Sequence, residues 1–256
     1  MNILFIGDVV GKSGRNVLSL YLSDLKKKYQ ADFTIVNGEN SAHGKGITEK
    51  IYNEFLDLGV DCITMGNHTF SKSNIYTFID KADKLVTPAN RDIDKPGRHC
   101  RIFDVKGYKV GVCNLCGSVF MDSIEKDPID SMFELIDKYP CDIRIIDFHG
   151  EATSEKAVFL RIFCKDACMI VGTHTHVQTA DECIYNGCAF ISDAGMSGAY
   201  DSVIGRDNEE VLDRVLCGKE SHFIPSENPG MLCGVFVKIN EETLRAEYIE
   251  RIQIRP

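Results

Sequence analysis

Residues 2–15 read "NILFIGDVVGKSGR": a short apolar run, an acidic Gly-rich turn and the start of a helix. The turn has two readings. Its ending in Gly-Lys-Ser resembles a phosphate-binding loop, which needs four residues between its first Gly and its Gly-Lys pair. Only Asp8, Val9 and Val10 separate Gly7 from Gly11. The spacing fails, so Asp8 becomes the point of the turn. Lys12 is then a solvated residue at the start of the helix.

The same unit recurs downstream. "DFTIV" (32–36), "DCITM" (61–65), "YKVGVCNL" (108–115), "DIRIID" (142–147) and "CMIVG" (168–172) are short and rich in β-branched residues. Like "NILFI" (2–6), they stop at Gly, Asn or Asp, the pattern of buried strands. The intervening stretches 14–28, 48–58, 72–82, 127–138 and 154–164 predict helices. In the first of these, Val17, Leu18, Tyr21, Leu22 and Leu25 share one face, as an amphipathic helix requires. Thr153 or Ser154 suits the N-cap of the last, because a hydroxyl there can accept an orphan N–H. Such alternation predicts βαβ units with buried parallel strands. After residue 186, "GCAFIS", "SHFIP", "MLCGVFVKI" and "TLRAEYIERIQIR" predict a β-rich ending. No Pro- or Ser-rich linker, repeat or low-complexity run divides the chain. The expectation is a single domain over 1–256: an α/β fold of two packed sheets with helices outside.

Composition narrows the functional classes. The 256 residues are 44% hydrophobic and 26% charged, an ordinary globular balance. A formal net charge of -9 disfavours a long nucleic-acid partner, although a local positive site such as bound metal still holds a small phosphate. No stretch approaches the roughly 20 apolar residues of a membrane span, and the start lacks a basic n-region. A cytoplasmic protein with no membrane partner is expected. Cys62, Cys113, Cys168 and Cys188, four of eleven cysteines, lie in strand-like runs and behave as small hydrophobes. Cys113 and Cys116 form a C-x-x-C with no second pair at zinc spacing, which argues against a zinc or redox centre.

Chemistry collects after the strands. Asp8 follows the first; Asn37, Glu39, Asn40 and His43 follow the second; Asn67 and His68 follow the third. His149 follows "DIRIID", and His174 and His176 follow "CMIVG". Carboxyl ends of parallel strands share one edge, where ligands bind. Taken singly, each of these residues is an ordinary cap, turn or satisfied polar group. Taken together, four of the seven histidines occupy such turns. His43, in a Gly-flanked loop, is a candidate substrate contact, and His99 and His222 are expected at the surface. Imidazole with carboxylate ligands suits first-row transition metals, whereas calcium and magnesium prefer oxygen. The block "SDAGMSGAYDSVIG" (192–205) carries Gly195, Gly198 and Gly205, which suggest unusual backbone angles. Tyr200 could stack on a base and Ser202 could bond a phosphate there; equally, the loop only seals a sheet edge.

The stretches "GDVVG", "NGENS", "GNHTF", "DFHGE" and "GTHTH" resemble the ordered motifs of calcineurin-like metallophosphoesterases. The first motif has Val10 in place of the usual His, Glu39 replaces an Asp, and Thr69 replaces an acidic residue. These departures, with the 192–205 block, are similar to the YmdB-type branch. The resemblance implies a metallophosphoesterase-like β-sandwich of two mixed sheets flanked by helices. It also implies a cytoplasmic phosphodiesterase acting on 2′,3′-cyclic nucleotides and related phosphodiesters, with a pair of iron or manganese ions. By the same resemblance, Asp8, Glu39, Asn40 and His176 hold one ion. Glu39, Asn67, His149 and His174 hold the other, with Glu39 shared, and His68 is the proton donor. The 2′-ester bond is cleaved, leaving a 3′-phosphate. The alternatives are a phosphomonoesterase on a nucleotide or phosphoprotein, and a metal-stabilised regulatory protein working through an RNA or protein partner. A homo-oligomer is left open.

Overall fold

The computed structural model describes residues 1–220 and 222–256. β1 (Asn2–Ile6) continues into a two-residue strand, β2 (Asp8–Val9), and then into α1 (Gly11–Tyr29). β3 (Phe33–Asn37), α2 (Glu49–Asp57), β4 (Cys62–Thr64) and β5 (Leu85–Val86) follow. Next come β6 (Cys100–Val105), β7 (Tyr108–Cys116), α3 (Pro128–Lys138), β8 (Ile143–His149), α4 (Thr153–Phe163) and β9 (Met169–Thr173). The β-rich remainder holds β10 (Cys183–Tyr185), β11 (Cys188–Ile191), β12 (Met196–Ala199), α5 (Asn208–Cys217), β13 (Gly230–Asn240) and β14 (Arg245–Ile254).

The strands form two mixed sheets. The first has the order β2-β12-β13-β1-β3-β4-β5, with β14 also on β13. β1, β3, β4 and β5 are parallel, and β13 is antiparallel to β1. The second runs β10-β11-β9-β8-β7-β6. Its four inner strands are parallel and both edge strands antiparallel. Alternation along each strand explains the layering. Ile3, Phe5 and Ile35 point between the sheets, onto Val110, Ile145 and Val171. Leu4, Ile6 and Val36 point outward, onto Leu18 and Leu22 of α1 and Phe55 of α2. Phe148 and Ile146 likewise meet Met132 of α3 and Phe159 of α4. Strands covered on both faces read as unbroken apolar runs. Each such side chain contributes about 1.5–3 kcal/mol when fully buried.

Several local expectations need correction. Stretch 72–82 is not an α-helix but two short 3₁₀ turns, Ser73–Thr77 and Ile79–Lys81. The Thr77 hydroxyl donates to the Asn74 carbonyl at 2.7 Å, a local bond of the kind that competes with helix. The N-cap of α4 is Ala152, with no side-chain cap bond, and Thr153 is already helical. His149 is not in a turn; it is the last residue of β8. His99 is half-buried beside the Thr87 hydroxyl at 3.3 Å, and burial lowers its pKa. Of "SHFIP", Ser221 lies outside the described residues; His222 is exposed, and Pro225 makes only an isolated bridge with Arg206. Cys113 faces Cys100 across β6 and β7, and burial pushes the Cys116 thiol well up.

Candidate metal centre

Parallel strands of both sheets end at one edge, and the candidate side chains gather there. The chain leaves β1 through Gly7, where a Cβ would lie 1.8 Å from the Gly195 carbonyl. Asp8 then pairs with Met196 of β12. Gly11 N–H donates to the Asn40 carbonyl at 3.0 Å, so this turn's amide serves the fold rather than a phosphate. Lys12 is exposed, 3.4 Å from Glu227. Glu39 and Asn40 follow β3, and Asn67 and His68 follow β4. His174 and His176 follow β9 in left-handed conformations, φ 101° and 67°.

The tightest group surrounds His149 Nε2. Asn67 Oδ1 lies 2.9 Å away, Glu39 Oε1 3.0 Å and His174 Nδ1 3.1 Å. The Thr173 hydroxyl donates to Asp147 Oδ1 at 2.6 Å and faces His149 Nδ1 at 2.8 Å. With its proton engaged, that oxygen accepts from Nδ1–H, which leaves the Nε2 lone pair turned inward. Carboxylate, amide and imidazole lone pairs then converge, and only a positive charge stabilises them. A proton on His149 supplies one: burial opposes it, but Glu39, Asp8 and Asp147 push its pKa up to about 9. A metal cation fits the same place, and Glu39, His149 and His174 offer ligand atoms within 4.8 Å of one another.

Asp8 marks a second pole. It is fully buried, and its Oδ1 has no hydrogen-bond partner, an arrangement that is unfavourable without a cation nearby. His176 Nε2 and His149 Nδ1 each lie 4.0 Å from that oxygen. Burial raises the Asp8 pKa to about 6. His176 Nδ1 donates to the Ile204 carbonyl at 2.8 Å, so its Nε2 also points inward. Asn40 turns Nδ2 toward Glu39 Oε1 at 3.0 Å and His176 Nε2 at 3.1 Å. As a ligand it would present Oδ1 instead, by a half-turn of its amide. Burial works against the Glu39 charge, yet His149 and the His68 amide hold its carboxyl well below the usual range. Burial and His149 push His174 down to about 3.

His68 sits at the rim. Its backbone N–H donates to Glu39 Oε2 at 2.9 Å, and Ser71 Oγ lies 3.4 Å from its Nδ1. His43 is exposed and outside the cluster. In the 192–205 block, Gly195 and Gly205 have positive φ, whereas Gly198 is an ordinary β12 residue. The Ser202 hydroxyl is used within the loop, donating to Ala199 O at 2.6 Å and accepting from Gly205 N at 2.9 Å. Tyr200 is exposed, under the Arg255 guanidinium. The sequence reading missed Asp147, which accepts from Thr64, Thr173 and Asn37. Its signal was available: two residues before His149 on one strand, it shares that residue's face. It also missed Glu151, 3.3 Å from His174 Nε2.

Two mixed sheets carrying a buried carboxylate–imidazole cluster at their shared edge define a metallophosphoesterase-type protein, a class whose members use divalent metal. The chain belongs to the YmdB-like protein family, whose model matches residues 4–252. It is 45% identical to the 2′,3′-cyclic-nucleotide 2′-phosphodiesterase of Bacillus subtilis (strain 168), over 99% of this chain and 97% of that one. A crystal structure of a novel phosphatase from Mycoplasma pneumoniae matches with a TM-score of 0.93 and 40% identity, covering 99% of this chain and 93% of that one. A hypothetical protein from Thermus thermophilus matches with a TM-score of 0.93 and 30% identity, over 99% of both chains.

Proposed function

We propose that the protein is a phosphodiesterase with two bound iron or manganese ions. It hydrolyses 2′,3′-cyclic nucleotides and related phosphodiesters at the 2′-ester bond, leaving a 3′-phosphate. Residues 1–256 act as one domain, in the cytoplasm. Asp8, Glu39, Asn40 and His176 hold one ion; Glu39, Asn67, His149 and His174 hold the other. The observation that carries this reading is the inward convergence of lone pairs around His149 Nε2, beside an unpartnered Asp8 Oδ1. The 45% identity to a named phosphodiesterase supports the substrate class.

Paired ions of this kind supply a water of lowered pKa and a clamp on phosphoryl oxygens. The protein does the rest. Glu39 Oε2 accepts from the His68 amide, which fixes the direction of the carboxylate. Thr173 and Ile204 set the tautomers of His149 and His176. His68 protonates the departing ribose oxygen. Burial lowers its pKa, and an anionic phosphate beside it restores the protonated ring.

Elemental analysis of purified protein, beside a hydrolysis panel of cyclic nucleotides and of mono- and bis-esters of one chromophore, tests the proposal. Two equivalents of metal with turnover of cyclic nucleotides and the bis-ester are expected. Hydrolysis confined to mono-esters would favour a phosphomonoesterase. Protein that stays metal-free and inert under saturating manganese and iron would end the reading.

A further inference from the structure

Lys156 of α4 is fully buried, unusual for a lysine, and Asp193 beside it is buried as well. Their Nζ and Oδ2 lie 3.1 Å apart. Burying such a pair is expensive, and apolar residues of similar size often serve stability as well or better. Stability alone is therefore a poor reason for its presence, and what the pair holds is informative.

Lys156 Nζ donates to the Thr173 carbonyl at 3.0 Å. Asp193 Oδ2 accepts from Thr175 N–H at 3.0 Å, and Oδ1 accepts from Gly195 N–H at 2.9 Å. The Asp193 carbonyl accepts from Thr179 N–H at 3.1 Å. The two charges thus grip the chain on both sides of His174, and Thr175 leads directly into His176. Both histidines have left-handed backbones, which side chains other than Gly adopt at a cost. Room for the device is made at Gly172, where a Cβ would lie 1.7 Å from the Ser192 carbonyl and 2.9 Å from Lys156 Cδ.

We infer that Lys156 and Asp193 form an internal clamp that sets the His174–Thr175–His176 turn in its metal-binding geometry. They are positioning residues, acting through backbone rather than touching the ion or substrate. This gives the 192–205 block a role: Asp193 fixes the turn from one end, and Ile204 orients His176 from the other. The inference rests on the metal reading above.

The test measures Mn²⁺ affinity of the full chain by calorimetric titration, with melting curves, for wild type, Lys156→Met and Lys156→Met/Asp193→Asn. Lys156→Met leaves a buried carboxylate unpaired and is expected to melt lower. The double variant removes both charges and should regain much of that stability. Its Mn²⁺ affinity should nevertheless stay about 10–100-fold below wild type, the usual effect of losing a supporting contact around ligands. Should Lys156→Met not fold, the double variant decides. Wild-type affinity in a folded variant lacking the pair would overturn the clamp. Wild-type protein that binds neither Mn²⁺ nor, titrated without oxygen, Fe²⁺ would instead overturn the metal reading, and the clamp with it.

Discussion

Gly66 offers a sharp test of the site's geometry. A Cβ there would lie 2.4 Å from Glu39 Oε2 and 2.5 Å from His149 Nε2, about 1 Å inside ordinary contact. Gly66 is not among the glycines with positive φ, so its backbone accepts Ala. Replacing Gly at such a position adds about 0.4–1 kcal/mol through the unfolded chain, while overpacking removes about 1–3 kcal/mol. The net loss of about 1 kcal/mol, and at most about 2.6 kcal/mol, leaves a typical domain folded. The ligand atoms, however, must move by about 1 Å, and metal–ligand distances tolerate only about 0.2 Å. Gly66→Ala should therefore fold, yet bind Mn²⁺ at least about 100-fold more weakly, equivalent to about 2.7 kcal/mol. Calorimetric titration and melting with and without Mn²⁺ read both quantities. A folded Gly66→Ala protein with wild-type stoichiometry and affinity would refute the placement of Glu39 and His149 around one cation.

His68→Ala should lower turnover of a cyclic nucleotide by about 10²–10⁴-fold with metal content unchanged by elemental analysis; equal loss of metal would make His68 a ligand. Thr173→Val removes the hydroxyl between His149 and Asp147, leaving two buried polar groups short of a partner. Denaturant unfolding should show a loss of about 2–4 kcal/mol, and Mn²⁺ binding should weaken about 10–100-fold. The cluster also dictates a pH dependence. His149 has its folded pKa raised from 6.5 to about 9, so in metal-free protein its protonated form contributes stability that is complete below about pH 6.5 and lost as pH rises through about 9. A cation displaces that proton, so Mn²⁺ affinity should climb from pH 6.5 toward 9, with proton release visible in buffers of different ionisation enthalpy. An affinity independent of pH across that window would contradict the assignment of His149.

The parallel strands were legible because burial on both faces leaves unbroken apolar runs, as in Ile3 to Ile6 and Met169 to Val171. The candidate ligands could be gathered from sequence because they lie at or just after the ends of those runs, and the fold sends such ends to one edge. Other features had no local signal. β12, "MSGA", lacks strand character and is a strand only because it lies between β2 and β13. β6 carries a weak one, since "CRIFDV" has exposed or half-exposed residues between its buried ends. In 72–82 the apolar spacing correctly buries Ile75, Phe78 and Ile79, but the Asn74 and Thr77 side chains bond locally in a tighter turn. Lys156 is the deepest miss. A lysine on a helix ordinarily lies in solvent, and nothing near it announces that Gly172, sixteen residues on, opens a space for its stem.

The positions that sequence hides are those that hold strain. Left-handed backbones at His174 and His176 each disfavour the folded state by about 1–3 kcal/mol. Two packed sheets supply rigidity for that, but not direction. Direction comes from backbone bonds to Asp193 and from the ring bond of His176 to Ile204. Both residues lie in the segment around β12, which is inserted where β1 gives way to β2 and paired on both sides. The same insertion brings Met196 beside Asp8. One short segment therefore couples β2, which carries Asp8, to the turn carrying two imidazoles from the other sheet. A site assembled from two sheets needs such a cross-tie, because each sheet alone fixes only its own side chains. This accounts for a Gly-rich block whose residues 192–199 are buried beside the candidate site while Tyr200, Asp201, Val203 and Ile204 reach the surface.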